Sequence, residues 1–328
     1  MTTNSQAKCR CNQPVPFSAS RPVSTTSSHR QESTKIGTHY VVSFFRLSLN
    51  KQCDRSPAVV DETYLLLLDT RSNDDYNEGH IQLAKLAKKS TTNNDDSKYR
   101  IPFGAHLPTC LHCVVYDGNT VSVIEDTPAT RLANQLAASG NKNPVLVLKG
   151  GYERFSAEYP FLRTQKIMYT PMELNNLPFY PSEIMPLFLY LGDHRHAYNA
   201  SLNYDLKIHT HVRLGNEREL PPALPESTEE LHVDVEDAPQ SDLGSHFGKI
   251  IEFIEDHRKK SERVLVFSEL GISRAATAVM AYLIHRNKCS FKEAYSRVES
   301  CRQQIRPLAV FKDQLVQWEA RVLRPTHT

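Results

Sequence analysis

No stretch of this sequence is apolar for anything near the roughly 20 residues that a bilayer-spanning helix requires, so no membrane insertion is expected. Net charge is almost missing: 39 Lys and Arg stand against 37 Asp and Glu, leaving +2. There is also no basic stripe interleaved with aromatics, and together these absences exclude nucleic acid as an expected partner. Seven cysteines, an odd and scattered set, do not make a secreted disulfide framework and point to reduced thiols inside a cell. No internal repeat is present. Before Glu32 there is no acidic residue at all; Ser and Thr are dense there, and prolines stand at 14, 16 and 22. Basic, Ser-rich and acid-free is the composition of a mitochondrial transit peptide. The prolines and the scarcity of apolar residues argue against its amphipathic helix. Residues 1–38 are therefore read as a disordered tail on a cytoplasmic protein, with mitochondrial import as the alternative.

What is present is an ordinary globular composition, 40% hydrophobic and 23% charged over 328 residues. At about 150 residues per domain this length suggests two domains. Residues 60–168 alternate apolar runs with a helical pattern. The runs Tyr64–Leu68, Cys113–Tyr116 and Pro144–Leu148 read as strands buried on both faces. Residues 129–139, with Leu132 and Leu136 four apart and Gly140 beyond, read as a helix. Together they predict a parallel sheet covered by helices. Residues 88–96 are a polar loop. Prolines and asparagines in residues 169–180 mark a linker.

Residues 181–324 form the second expected domain. Short strands are predicted at 188–191, 208–212, 231–235 and 264–267, with a loop over 215–230. Helices are predicted at 244–259, 274–286 and 311–322, and Ser290-Phe291-Lys292-Glu293 has the spacing of a capping box. The most informative stretch is Ser268-Glu269-Leu270-Gly271-Ile272-Ser273-Arg274. It follows a hydrophobic strand and opens a helix. A turn of this kind directs backbone N–H groups into one concavity at the positive end of the helix, and the arginine adds a fork for phosphate oxygens.

This loop resembles the signature of protein tyrosine and dual-specificity phosphatases, in which His-Cys is followed by five residues and Arg. Gly271, Ser273 and Arg274 match that signature. Phe267 stands at the position of the His, and Ser268 at that of the nucleophilic Cys. Pro181-Ser182-Glu183-Ile184 and Leu189-Tyr190-Leu191-Gly192 resemble the start of such a domain, and Asp237 falls at the general-acid position. Arg302, Pro307, Gln314-Leu315 and Trp318-Glu319 resemble its C-terminal helices. The first domain is similar to the rhodanese-like domain of MAP kinase phosphatases, through Asp69-Thr70-Arg71, Gly79-His80-Ile81 and the run from Leu148 to Phe155. The fold implied is α/β, a rhodanese-like domain followed by a dual-specificity phosphatase domain.

The family's reaction needs a thiolate nucleophile, and a serine hydroxyl is a far weaker acid that needs a base. The resemblance therefore implies a catalytically inactive relative. Such a protein would bind phosphoproteins or modulate active phosphatases through residues 268–274. Two rivals stand beside this reading: a slow phosphatase using Ser268, and a scaffold whose loop binds no phosphate. Leu308 after Pro307 and the carboxylate of Glu269 count against phosphate binding. In the first domain the resemblance implies MAP kinases as possible partners, docking on a basic cluster whose nearest equivalents are Lys85, Lys88 and Lys89. Sulfur transfer is not expected, because Asp117-Gly118-Asn119 follows the central strand where a persulfide-forming Cys would stand. Cys110 and Cys113 read as buried thiols. The pairs His194/His196 and His209/His211 read as surface residues, and no metal or cofactor is expected.

Overall fold

The computed structural model describes residues 34–38, 41, 64–90, 98–100, 107, 110–139, 141–216 and 228–324. The tail before residue 34, Cys9, Cys11, Cys53, most of the polar loop after Lys89, and residues 217–227 lie outside them. The leucine run becomes strand β2 (Leu65–Asp69), buried along its whole length. It sits inside a five-stranded sheet of order β1 (Thr34–Ile36), β6 (Val145–Leu148), β5 (His112–Tyr116), β2 and β4 (Lys85–Leu86). All four pairings are parallel. The short strands β3 (His80–Ile81) and β7 (Arg163–Thr164) pair separately and antiparallel. A strand covered on both faces gains nothing from polar alternation, which is why these segments read as continuous apolar runs.

The helix Pro128–Ala138 covers one face. Thr127 and Thr130 form its capping box, and Leu132 and Leu136 are buried as their spacing predicts. Part of the expected disordered tail is structured: Thr34–Ile36 is an edge strand paired with β6, and Thr38 and Val41 are buried. Three residues with a single apolar side chain carry too little periodicity to be seen as a strand.

Residues 169–180 are not a featureless linker either. Pro171 takes the first position of a short helix, Pro171–Asn175, capped reciprocally by Thr170 and Glu173. Tyr180 is buried, and its hydroxyl donates to Asp205 at 2.7 Å. The second sheet has the order β11 (Glu229–Val233), β10 (Ile208–Leu214), β12 (Arg263–Ser268), β9 (Leu189–Asp193) and β8 (Ser182–Met185). Only β8 runs antiparallel to its neighbour. β11 starts two residues before the expected strand, so Val235 falls in the loop beyond it. The helices Phe247–Lys259, Arg274–Asn287, Phe291–Cys301 and Ala309–Val322 follow the predicted pattern, and Ser290 and Glu293 form the expected box.

One face of this second sheet does not stop at its own helices. Tyr190, Leu265 and Phe267 share a buried cluster with Leu65, Leu67, Tyr116, Phe155, Tyr159 and Leu162 of the first sheet's domain. At the seam, buried Glu183 accepts from the Tyr159 hydroxyl at 2.9 and 3.0 Å, from Tyr190 at 3.3 Å and from the Leu187 amide at 2.6 Å. A buried carboxylate is tolerated only when its lone pairs are met in this way. Burial and the Glu183 charge push the Tyr159 phenol well above its ordinary value, so it keeps its proton and donates. Replacing Tyr159 by Phe removes one donor from a buried charge and should lower unfolding stability by about 1.5–3 kcal/mol. An unchanged urea midpoint would mean that the contact across the seam is not formed.

Candidate functional site: an anion cradle at the end of β12

β12 ends at Ser268, and the chain then turns through Gly271 into the helix Arg274–Asn287. Gly271 has φ 65°, and a Cβ there would lie 2.1 Å from the Gly192 carbonyl oxygen, so only glycine fits. Four successive carbonyls of the turn are held from outside. Glu269 O accepts from the His194 amide at 3.4 Å and from His194 Nδ1 at 2.7 Å. Leu270 O and Gly271 O accept from Arg302 Nη2 and Nε at 3.0 and 2.9 Å. Ile272 O accepts from the Arg306 amide at 2.7 Å. In a planar trans peptide the N–H points away from the C=O. Tying these carbonyls outward turns the amides of Leu270, Gly271, Ile272 and Ser273 the other way, into one hollow. The N-terminus of a 14-residue helix adds its positive end to that hollow. Ser268 Oγ sits among these donors and accepts from Gly271 N at 3.2 Å.

The holding residues are themselves buried and charged. Arg302 is 3% exposed, and burial draws its guanidinium below the ordinary arginine value; Asp193 lies 4.0 Å away as a counter-charge. Burial opposes ionisation of Asp193, but hydrogen bonds from His196 and Arg195 prevail and hold it well below the usual carboxylate range. Arg274 is buried, and its Nη1 donates to Val235 O at 3.0 Å. Next to it, Ser273 Oγ donates to Asp237 Oδ1 at 2.6 Å. The segment from Val235 to Asp237 is thereby docked on the cradle, with Asp237 exposed at its rim.

Phe267 is fully buried and meets Tyr198 and His211 edge-on, at centroid distances of 6.3 and 5.9 Å. Burial, helped by nearby His209, pulls His211 down to about 4, so it is an uncharged ring at neutral pH. Among the described residues, no imidazole or carboxylate accepts a proton from the Ser268 hydroxyl.

The other sequence candidates fall elsewhere. Lys88 and Lys89 line a cavity of about 320 Å³ with Arg71, Thr70 and Tyr99, whereas Lys85 lies outside it. Arg71 was not among the expected docking residues; it pairs with Asp69 at 2.7 Å and stacks 3.7 Å over Tyr152. The Asp117 carboxylate fills its own loop, accepting from the Thr120 amide at 2.9 Å and the Asn119 amide at 3.2 Å. Cys110 and Cys113 are buried thiols, and burial pushes Cys113 up to about 12. The surface reading of the histidines fails for His196 and His211, which are buried, the first against Asp193 and the second against Phe267. The sequence also gave no sign that His194 and Arg302 clamp the loop, since both act on it from 31 to 75 residues away.

Two family models match the chain in order: "Rhodanese-like domain" over residues 50–158, and "Dual specificity phosphatase, catalytic domain" over residues 189–321. Human dual specificity protein phosphatase 1 is 29% identical over 296 residues, which cover 79% of this chain and 79% of that protein. A probable rhodanese domain-containing dual specificity protein phosphatase from Dictyostelium discoideum is 30% identical over 180 residues, covering 54% of this chain and 37% of its own length. Among solved structures, the human tyrosine phosphatase-like serine/threonine/tyrosine-interacting protein is similar, with 27% identity and a TM-score of 0.42; the match covers 44% of this chain and 99% of that one. The chain thus consists of a rhodanese-like domain followed by a dual-specificity phosphatase catalytic domain. The relatives it matches across these domains are dual specificity protein phosphatases.

Gly271→Ala should destabilise the protein by at least about 2 kcal/mol, because the positive φ and the backbone clash act together. Thermal melting checks this; a variant that melts with the wild type would refute the close approach of residues 192 and 271.

Proposed function

We propose that this protein is a pseudophosphatase, of the serine/threonine/tyrosine-interacting-like kind, that holds phosphorylated residues without hydrolysing them. It would regulate phosphoproteins or active phosphatases in MAP kinase or stress-type signalling. The observation that carries this reading is the pairing of a formed amide hollow with Ser268 and Phe267. The hollow supplies what anion binding needs: inward amides, a helix N-terminus and Arg274 in the first helical turn. What it lacks is what phosphoryl transfer needs. Ser268 has a hydroxyl in place of a thiol, and no described residue stands as its base. Uncatalysed phosphate-monoester hydrolysis is slow enough that enzymes supply up to about 10²¹-fold acceleration, and positioning alone does not reach that. Asp237 is an acid without a nucleophile to follow. The neutral Ser268 hydroxyl repels a bound phosphate less than a thiolate would. In the first domain, Lys88, Lys89 and Arg71 around one cavity support a role in docking a kinase.

Restoring the missing chemistry is the direct test. Phe267→His with Ser268→Cys should raise aryl phosphate hydrolysis by at least about two orders of magnitude over wild type, as expected for regained nucleophilic catalysis. Because Phe267 is fully buried, Ser268→Cys alone serves as the variant that leaves the core intact. No gain in either would contradict a formed cradle, and an active wild type would contradict the inactive reading. Separately, a phosphotyrosine peptide should bind wild type more tightly than Arg274→Ala. Equal affinities would favour a scaffold that binds no phosphate.

A further inference from the structure

A second group of ligating side chains lies at the other end of the same sheet, where the parallel strands begin. His257, in the last turn of the helix Phe247–Lys259, is 1% exposed. Its Nδ1 lies 2.5 Å from Glu262 Oε2 and 3.4 Å from Thr210 Oγ1, and its Nε2 lies 3.2 Å from Glu229 Oε1. One donor atom from each of Glu229, His257 and Glu262 falls within 4.8 Å of the other two. The two carboxylates are half-exposed, at 58% and 46%, and border a cavity of about 460 Å³ together with Thr210 and His209.

His257 thus stands between two carboxylates, Glu262 at Nδ1 and Glu229 at Nε2. A bound cation would take one ring nitrogen as a ligand and compensate the two acidic side chains gathered there. We propose that Glu229, His257 and Glu262 bind a divalent transition-metal ion, with zinc the best-suited species. One nitrogen and two carboxylate oxygens make a set that favours zinc or a similar first-row ion over calcium or magnesium, which prefer oxygen alone. Ligands about 2.0–2.2 Å from one ion stand roughly 3.4 Å from each other, so Glu262 must draw back from the imidazole and Glu229 swing toward the same ring nitrogen. The carboxylates sit on exposed, rotatable side chains, whereas His257 is fixed by burial. Water in the cavity completes the coordination. Arg263 also borders this cavity, but its guanidinium donates to Leu206 O at 2.8 Å. The ion would tie the start of edge strand β11 to the end of a helix two elements later. The proposal is independent of what the cradle binds.

Calorimetric titration of the full chain with zinc alone should show one equivalent bound, accompanied by a rise in melting temperature. Glu229→Gln and Glu262→Gln should each weaken binding by at least about tenfold, as loss of a ligand or of a ligand-orienting carboxylate does elsewhere. In the double variant the rise in melting temperature should vanish. Cobalt(II) in place of zinc should give d–d absorption without a thiolate charge-transfer band, which separates this site from Cys110 and Cys113. An isotherm unchanged in the double variant, a thiolate band, or equally tight binding of calcium or magnesium would overturn the proposal.

Discussion

The cradle depends on one constraint, the outward fixing of four consecutive carbonyls. Arg302 holds two of them, His194 a third, and the backbone at Arg306 the fourth. A loop of this length has no hydrogen-bonding pattern of its own and, left alone, would turn some carbonyls toward an incoming anion. With each carbonyl engaged from behind, peptide planarity leaves the amides no other direction. Arg302 keeps its position because Asp193 compensates its buried charge, and Asp193 stays ionised because His196 and Arg195 hydrogen-bond to it. The chain of dependence runs from a surface arginine to the floor of the site. A buried ion pair of this kind contributes little net stability but strongly penalises loss of either partner.

The same loop begins inside the hydrophobic core. Phe267 occupies the last apolar position of β12, in the cluster that also contains Tyr116 and Phe155 of the rhodanese-like domain. An apolar ring suits that surrounding better than an imidazole, which would bring an unmet polar group into it. Phe267 therefore contributes packing across the seam. The hydrogen bonds of Tyr159 and Tyr190 to Glu183 reinforce the same joint.

Much of the fold was legible because burial on both faces writes itself as unbroken apolar runs, as in Leu65–Leu68 and Val264–Phe267. Caps were equally plain: Ser290 with Glu293 announced a helix that formed where expected. The edge strand Thr34–Ile36 was missed because its pairing with β6, more than 100 residues away, forms it and its own composition does not. The site's residues 268–274 were visible through local spacing. Their clamps were not, because the contacts of Arg302 and His194 with the loop are made by the tertiary fold. His257 was overlooked for the same reason. Its carboxylate neighbours come from another strand and a turn, while the pairs His194/His196 and His209/His211 do not gather into a ligating group among the described residues.

Whether the amides of Leu270, Gly271, Ile272 and Ser273 act as one anion-binding row is open to direct observation. Amide proton and nitrogen chemical shifts of the labelled protein can be followed while phosphotyrosine is added. The expected result is saturable downfield movement of those four amide protons and of the Arg274 guanidinium signals, with the sheet resonances unmoved. Resonances of the loop that stay in place at saturating ligand, in a protein whose sheets are otherwise intact, would contradict the account at its centre.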